Sequence, residues 1–301
     1  MVQAQVNFCR KCPIRMKKLP LILVVGIIAL AFVVYESRSD NNMHVYFLDV
    51  GQGDSVLIKR GQIEILIDGG PSPGKLTNEL GKLLPLWDRN IELVVLTHPH
   101  KDHLAGLVEF IKRYEVGSVM ETETSPNSAE GTEYNVGLYS EWQELISKNG
   151  IRVIDARAQQ MIELNGIEID ILNPKPVYIS GTSSDTDNNS IVLDVIFGDL
   201  SFLLTSDIYS SGESRMLSSR LVPDCSVLKV AHHGSNSSTS QEFLNVSKPE
   251  VAVVSVGENN YGQPAGEVLN RLAGCKLYQT DESGTIEFIT NGSSLWVRTA
   301  R

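Results

Sequence analysis

The segment Leu96-Thr97-His98-Pro99-His100-Lys101-Asp102-His103 places three imidazoles and one carboxylate within six positions, directly after the apolar run Ile91–Leu96. An apolar run of that length reads as a buried strand, and Leu104–Tyr114 reads as a helix. Side chains lying between a strand end and a helix start are carried on rigid backbone, which is what a metal site requires. Imidazole nitrogen and carboxylate oxygen suit zinc, and also manganese or iron. The chain has six histidines and half of them fall here, so a polar loop with chance histidines is a poor account.

Two more segments point the same way. Leu203-Leu204-Thr205-Ser206-Asp207 is an apolar strand ending in a carboxylate, and Leu228-Lys229-Val230-Ala231-His232-His233-Gly234-Ser235 is another ending in paired histidines. Only His44 lies outside these clusters. Bare acids and imidazoles at strand ends can converge on one sheet edge, where open sheets bind ligands. Two metals about 3.5–4 Å apart need roughly six or seven protein ligands. His98, His100, Asp102, His103, Asp207 and His232 nearly fill that set. Taken alone, Asp207 also reads as an N-cap for a helix over Ile208–Ser219.

The pattern His-x-His-x-Asp-His, followed by a strand-end Asp and a strand-end His, resembles the metallo-β-lactamase superfamily. Phe47-Leu48-Asp49-Val50-Gly51-Gln52-Gly53-Asp54-Ser55, Leu66-Ile67-Asp68-Gly69-Gly70, Asp187-Asn188-Asn189-Ser190, Ala231-His232-His233-Gly234-Ser235, Gly257-Glu258-Asn259-Asn260-Tyr261-Gly262 and Thr280-Asp281-Glu282-Ser283-Gly284-Thr285 narrow it. They are similar, in order from about Met43 to Val297, to the hydrolase domain of ComEC-type DNA-uptake proteins.

The resemblance implies an α+β fold, an αββα sandwich of two mixed β-sheets flanked by helices. It also implies a metal-dependent hydrolase, a phosphodiesterase acting on DNA through a metal-bound hydroxide, with two divalent ions, zinc or manganese. In that scheme Asp207 bridges the ions, His98 and His100 hold the first, and Asp102, His103 and His232 hold the second. Asp102, Asp207 and His233 are the catalytic candidates, His233 as proton donor or phosphate contact, with the roles of His232 and His233 open to exchange. Asp68 sits beneath the metals and orients ligands.

Two departures stand out. The superfamily often draws a third histidine for the first metal from the turn before a late strand. Here that region is Ser183–Ser190, with no histidine, which leaves the first metal under-coordinated, completed by water, Asp187 or Asn189, or only weakly occupied. The resembling pattern also carries His before the proline of Asn-x-Tyr-Gly-His-Pro, where this chain has Gln263-Pro264. Glutamine keeps a donor and an acceptor but cannot shuttle a proton near neutral pH.

Candidate substrate contacts are Gln52, Asp54, Asn189, Lys229, Ser235, Asn259 and Gln263, with Asn236, Ser237, Asn260 and Tyr261 nearby. Several have structural readings too. Gln52 and Asp54 can satisfy the turn between two strands, and Ser235–Ser240 can be an N-cap and loop before Gln241–Val246.

Charge narrows the substrate. The chain carries −10 overall, but residues 1–39 hold six Lys/Arg and one acid, leaving 20 basic and 35 acidic residues in the remainder. An acidic body does not track many phosphates of duplex DNA. Metal ions supply local positive charge, so a single strand or a small phosphodiester is the easier substrate. A small phosphodiester, lactone or thioester hydrolase, and a non-catalytic metal-binding module, are the competing readings.

Residues 19–35 are uncharged and 17 long, at the lower end of what spans a bilayer as a helix. Arg10, Lys11, Arg15, Lys17 and Lys18 precede them, and Glu36 and Asp40 follow. By the positive-inside rule the tail 1–18 is cytoplasmic, 19–35 is an anchor or a cleaved signal, 36–42 is a linker, and the domain 43–301 faces outward. The expected localisation is single-pass membrane, or secreted if the segment is cleaved. An uptake role then needs a separate DNA-channel partner. Cys9 and Cys12 have the spacing of half a zinc site without a second half. Cys225 and Cys275 read as small hydrophobes at strand starts.

The expected strands are His44–Val50, Ser55–Lys59, Ile63–Ile67, Ile91–Thr97, Ser118–Met120, Ile167–Leu172, Ile191–Phe197, Ser201–Thr205, Ser226–Val230, Val251–Val256, Leu277–Gln279 and Thr285–Ile289. The expected helices are Leu76–Leu83, Leu104–Tyr114, Tyr139–Lys148, Ser211–Ser219, Gln241–Asn245 and Gly266–Leu272.

Overall fold

The computed structural model describes residues 23–28, 41–85, 88–122 and 135–301. It divides into two units between Asp40 and Asn41. In the first, residues 23–28 are helical. Most of the expected anchor 19–35 and the Cys9/Cys12 pair lie outside the described residues. Among the described residues no helix is long and apolar enough to cross a membrane.

The second unit, Asn41–Arg301, contains two mixed sheets. The larger has β1 (Met43–Phe47), β2 (Val56–Arg60), β3 (Ile63–Ile67), β4 (Asn90–Val95), β5 (Glu115–Glu121) and β6 (Arg152–Asp155), joined by β14 (Ile286–Thr290) and β15 (Leu295–Thr299) in the order β15-β14-β1-β2-β3-β4-β5-β6. The smaller has β7 (Met161–Leu164), β8 (Ile167–Asn173), β9 (Val192–Phe197), β10 (Leu200–Leu204), β11 (Val227–Lys229), β12 (Val251–Val254) and β13 (Lys276–Gln279), in the order β13-β12-β11-β10-β9-β8-β7. Each sheet has an antiparallel half and a parallel half, β3 to β6 in one and β10 to β13 in the other.

Two-residue periodicity builds the layers. In β3, Ile65 and Ile67 point into the cluster between the sheets, where they meet Ile169, Val195, Phe202, Val227 and Val253 of the facing sheet. Leu66 and Val94 point the other way, under a helical layer that buries Leu76, Leu80, Leu104, Leu107 and Trp142. On the far side Leu203, Leu228, Ala252 and Val254 pack against Met216, Phe243 and Val268. Helix, sheet, sheet and helix thus stack around one apolar centre, the α+β arrangement the sequence implied.

Three strands escaped the sequence reading: β6, β7 and β15. All three lie at sheet edges and are largely exposed, so their alternation of apolar and polar residues is weak. The helix expected from Leu104 begins at Lys101 and runs to Phe110, so Asp102 and His103 belong to its first turn. The close seat of this helix needs Gly106, whose missing Cβ would clash with the backbone oxygen of Gly69. Asp207 is not a helix N-cap; Tyr209 takes that position for the helix Ser210–Ser218. Cys225 and Cys275 are both free.

Candidate metal centre

The candidate residues follow the carboxyl ends of strands in the two parallel halves. Asp68 follows β3, the His98–His103 segment follows β4, Asp207 follows β10, and His232-His233 follow β11. Four non-glycine residues at these ends adopt left-handed backbone: Asp68 (φ 57), Ser206 (φ 48), His232 (φ 49) and His233 (φ 53). Such conformations are costly for residues with a Cβ and concentrate at functional sites.

A hydrogen-bonded floor holds the imidazoles. The Thr97 backbone N–H donates to Asp68 Oδ1 at 2.9 Å and its hydroxyl donates to Asp68 Oδ2 at 2.7 Å. The Ser206 hydroxyl in turn donates to Thr97 Oγ1 at 2.8 Å. His103 Nδ1 lies 2.8 Å from Asp68 Oδ2, and His233 Nδ1 lies 2.9 Å from the Ser255 carbonyl. In both rings the Nδ1 bond leaves Nε2 facing the site, the usual second-layer arrangement for metal-ligating histidine.

Two donor clusters result. In the first, Asp187 Oδ1 lies 3.3 Å from His98 Nε2 and 3.1 Å from His100 Nδ1, and those nitrogens are 3.1 Å apart. In the second, Asp207 Oδ2 lies 3.3 Å from His103 Nε2 and 3.2 Å from His233 Nε2, which is 3.2 Å from Asp102 Oδ2. Donors about 3.3 Å apart are the edges of a tetrahedron about a cation roughly 2.0 Å from each. Among the cluster donors, His103 Nε2 and Asp187 Oδ1 are buried and lack hydrogen-bond partners. Buried polar atoms normally have partners, so these orphans fit cations as the intended ones. The residues present therefore suit one or two divalent ions.

Burial opposes protonation of His103 and His233, but Asp207, foremost among the carboxylates, holds both well above the ordinary imidazole value, so a metal binding there must displace their protons. Burial would raise Asp207, but His233, His103 and Lys229 hold its carboxyl well below the usual carboxylate range. Burial likewise opposes ionisation of Asp102, yet His103 and His233 bring it down to about 2. Burial lowers His98 well below the ordinary imidazole value, helped by His103 and His100. His98 is thus neutral and its lone pair is free to ligate.

Several sequence assignments move. His233, rather than His232, joins Asp102, His103 and Asp207. Two successive left-handed residues turn the pair so that His233 is buried, while the His232 ring stacks on Tyr209 at 4.7 Å and 16°. Asp187, one of three alternatives for completing the first cluster, takes that place. Its turn is fixed by Asn188, whose Oδ1 accepts from the N–H groups of Tyr209 and Gly212. Asn189 turns away and bonds the backbone of Ile179 and Asp185. Lys229 and Asp54 pair with each other in the buried interior beneath the clusters. Ser235 bonds Ser237 within its own turn.

A cleft of about 530 Å³ opens over both clusters, reaching His100, Asp102, Asp207 and His233. Gln52, Asn259 and Gln263 do line it. Gln52 Nε2 donates to Gln263 Oε1 at 2.6 Å, and Gln263 Nε2 donates to the His232 carbonyl at 3.3 Å. Asn259 closes its own loop by bonds to Gly257, Tyr261 and Gln263. His232, Tyr261 and Lys101 also line the cleft. Lys101 went unremarked in the sequence, although it lies inside the histidine motif, where its signal was its charge beside four ligand candidates.

The chain matches the metallo-beta-lactamase superfamily over residues 48–258. It is 26% identical over 271 residues to ComE operon protein 3 of Bacillus subtilis (strain 168), covering 81% of this chain and 32% of that protein. It is 31% identical over 265 residues to competence protein ComA of Neisseria gonorrhoeae, covering 85% of this chain and 34% of that protein. The chain therefore spans about a third of the length of these relatives. Among solved structures, the metallo-beta-lactamase fold protein YhfI from Bacillus subtilis superposes with a TM-score of 0.56 at 12% identity, covering 86% of this chain and 100% of that one. At that identity the likeness speaks to the fold alone.

Proposed function

Because the chain belongs to the metallo-β-lactamase superfamily, we propose that it is a metal-dependent phosphodiesterase acting on single-stranded DNA. The observation that carries this reading is the pair of donor clusters, His98/His100/Asp187 and Asp102/His103/Asp207/His233, opening into one cleft. Two divalent ions, zinc or manganese, would activate water there and stabilise charge developing on a phosphoryl group.

The chain's own residues divide the remaining work. The two clusters hold the ions, and Asp68 fixes the ring of His103. Lys101, exposed at the helix start within the cleft, is placed to receive a phosphate oxygen. His232 lines the cleft with its ring held flat against Tyr209, in position to give a proton to the departing alkoxide. Gln263 cannot perform that transfer. Tyr261, 70% exposed at the rim, offers a face on which a base can stack.

The acidic remainder of the chain, 35 acidic against 20 basic residues, favours a threaded single strand over a bound duplex. It also supports a small phosphodiester as the competing substrate. On the same reading residues 19–35 tether the domain to a membrane with the site facing outward, and a separate partner supplies any DNA channel.

The test is hydrolysis of bis-p-nitrophenyl phosphate and of single-stranded DNA by the purified chain with zinc or manganese. Metal-dependent cleavage of both, lost in Asp102→Ala, is expected. Cleavage of the small diester alone would replace DNA by a small phosphodiester. Absence of cleavage with metal bound would overturn the phosphodiesterase reading.

A further inference from the structure

Lys229 ends strand β11 and is 2% exposed. Its ammonium pairs with the Asp54 carboxylate, lies 3.5 Å from Asp207 Oδ1 and donates to the Ser206 carbonyl at 3.0 Å. It does not line the cleft. A lysine so completely buried has no contact with substrate and needs another reason to be charged there.

The reason lies in the charge count. The three potential ligand groups of the centre contain five carboxylates: Asp54, Asp68, Asp102, Asp187 and Asp207. Two divalent ions bring four positive charges. One negative charge is left over, and an uncompensated charge in a buried site is strongly unfavourable. Lys229 is the cation that closes the balance.

Its position agrees with the count. The third group, Asp54/Asp68/His103, resembles a metal site by composition. However, His103 Nδ1 is already bonded to Asp68 Oδ2 at 2.8 Å, and Asp54 is already paired with Lys229. The carboxylates of this group thus have partners without a third ion, and that of Asp54 is the Lys229 ammonium. Through Asp207 it also acts on the second cluster: Oδ1 of that carboxylate faces Lys229, while Oδ2 faces His103 and His233.

We propose that Lys229 is a positioning residue that serves as a permanent third cation of the centre. It holds Asp207 in its ligand-presenting arrangement through the buried pair with Asp54 before metal enters, and neutralises the carboxylates once two divalent ions are bound. This rests on the two-ion reading of the site.

The experiment compares full-length wild type, Lys229→Met and the double variant Lys229→Met/Asp54→Asn, each stripped of metal and then titrated with Mn²⁺. Thermal midpoint and bound manganese per chain are the readouts. Lys229→Met should lower the metal-free midpoint and about double the rise produced by Mn²⁺, because the ions then relieve unbalanced repulsion. The double variant removes one carboxylate along with the lysine, so both quantities should return toward wild type. A Lys229→Met protein with the wild-type midpoint and the wild-type metal response would overturn the proposal. So would a double variant no better than the single one, which would mean that lost packing is the cause. If wild type itself gains nothing from Mn²⁺, the two-ion reading falls and this inference falls with it.

Discussion

His103 Nδ1 lies 2.8 Å from Asp68 Oδ2, and that contact aims the opposite nitrogen at Asp207, 3.3 Å away. Asp68 is itself fixed by the Thr97 N–H and hydroxyl, so the ring orientation is set two layers below the cleft. Replacing Asp68 by alanine should leave the fold intact and lower metal affinity by about 10–100-fold. Competition with a chromophoric chelator measures this. Unchanged affinity would mean that His103 keeps its orientation by packing alone.

Asp187 belongs to the histidine-free turn 183–190 and places Oδ1 at 3.1–3.3 Å from His100 and His98. If it is a ligand, Asp187→Ala removes one of three donors from the first cluster and none from the second. Bound metal should fall from about two ions per chain toward one, measured by elemental analysis after gel filtration. Asn189→Ala, whose side chain serves the backbone of Ile179 and Asp185, should keep the full complement.

The paired histidines separate by role. His233 is 2% exposed and sits between Asp102 and Asp207, whereas His232 faces the cleft. His233→Ala should lose the second ion. His232→Ala should keep both ions while turnover of a diester drops by roughly 10²–10⁴-fold, the usual contribution of a proton donor. The loss should shrink for p-nitrophenyl leaving groups, which need little protonation. A His232→Ala protein that loses metal would return the ligand role to it.

Most of the centre was legible because its parts are strand ends. An apolar run that stops at an acid or an imidazole carries its own signal, and Asp68, His98, His100, His103 and Asp207 all announce themselves in this way. The choice between His232 and His233 did not, because it depends on two consecutive left-handed residues that no side-chain pattern encodes. Lys229 and Asp54 read as substrate contacts in the sequence because charge beside a motif suggests a ligand. Only the facing sheet shows that both lie beneath the floor. The edge strands β6, β7 and β15 were hidden for a simpler reason: exposure removes the alternation that makes a strand readable.

A pH-dependent liability lies away from the centre, on the smaller sheet. Asp194 of β9 stands directly across from Asp170 of β8, is 5% exposed, and has one carboxylate oxygen without a hydrogen-bond partner. Burial, then Asp170, Asp224 and Glu168, push its carboxyl from the ordinary 3.8 up to about 7. The folded state therefore prefers the protonated form. Its contribution to stability is fully present below pH 4 and is lost as pH rises to about 7, because the unfolded chain releases the proton more easily. Asp194→Asn keeps the shape and removes the charge. Its thermal midpoint should match wild type near pH 4, rise above it progressively to about pH 7, and stay higher by several degrees beyond. That corresponds to on the order of 2 kcal/mol. Midpoints taken across that range by circular dichroism check the sign: a gap that closes with rising pH would show that Asp194 is ionised and stabilised in the fold.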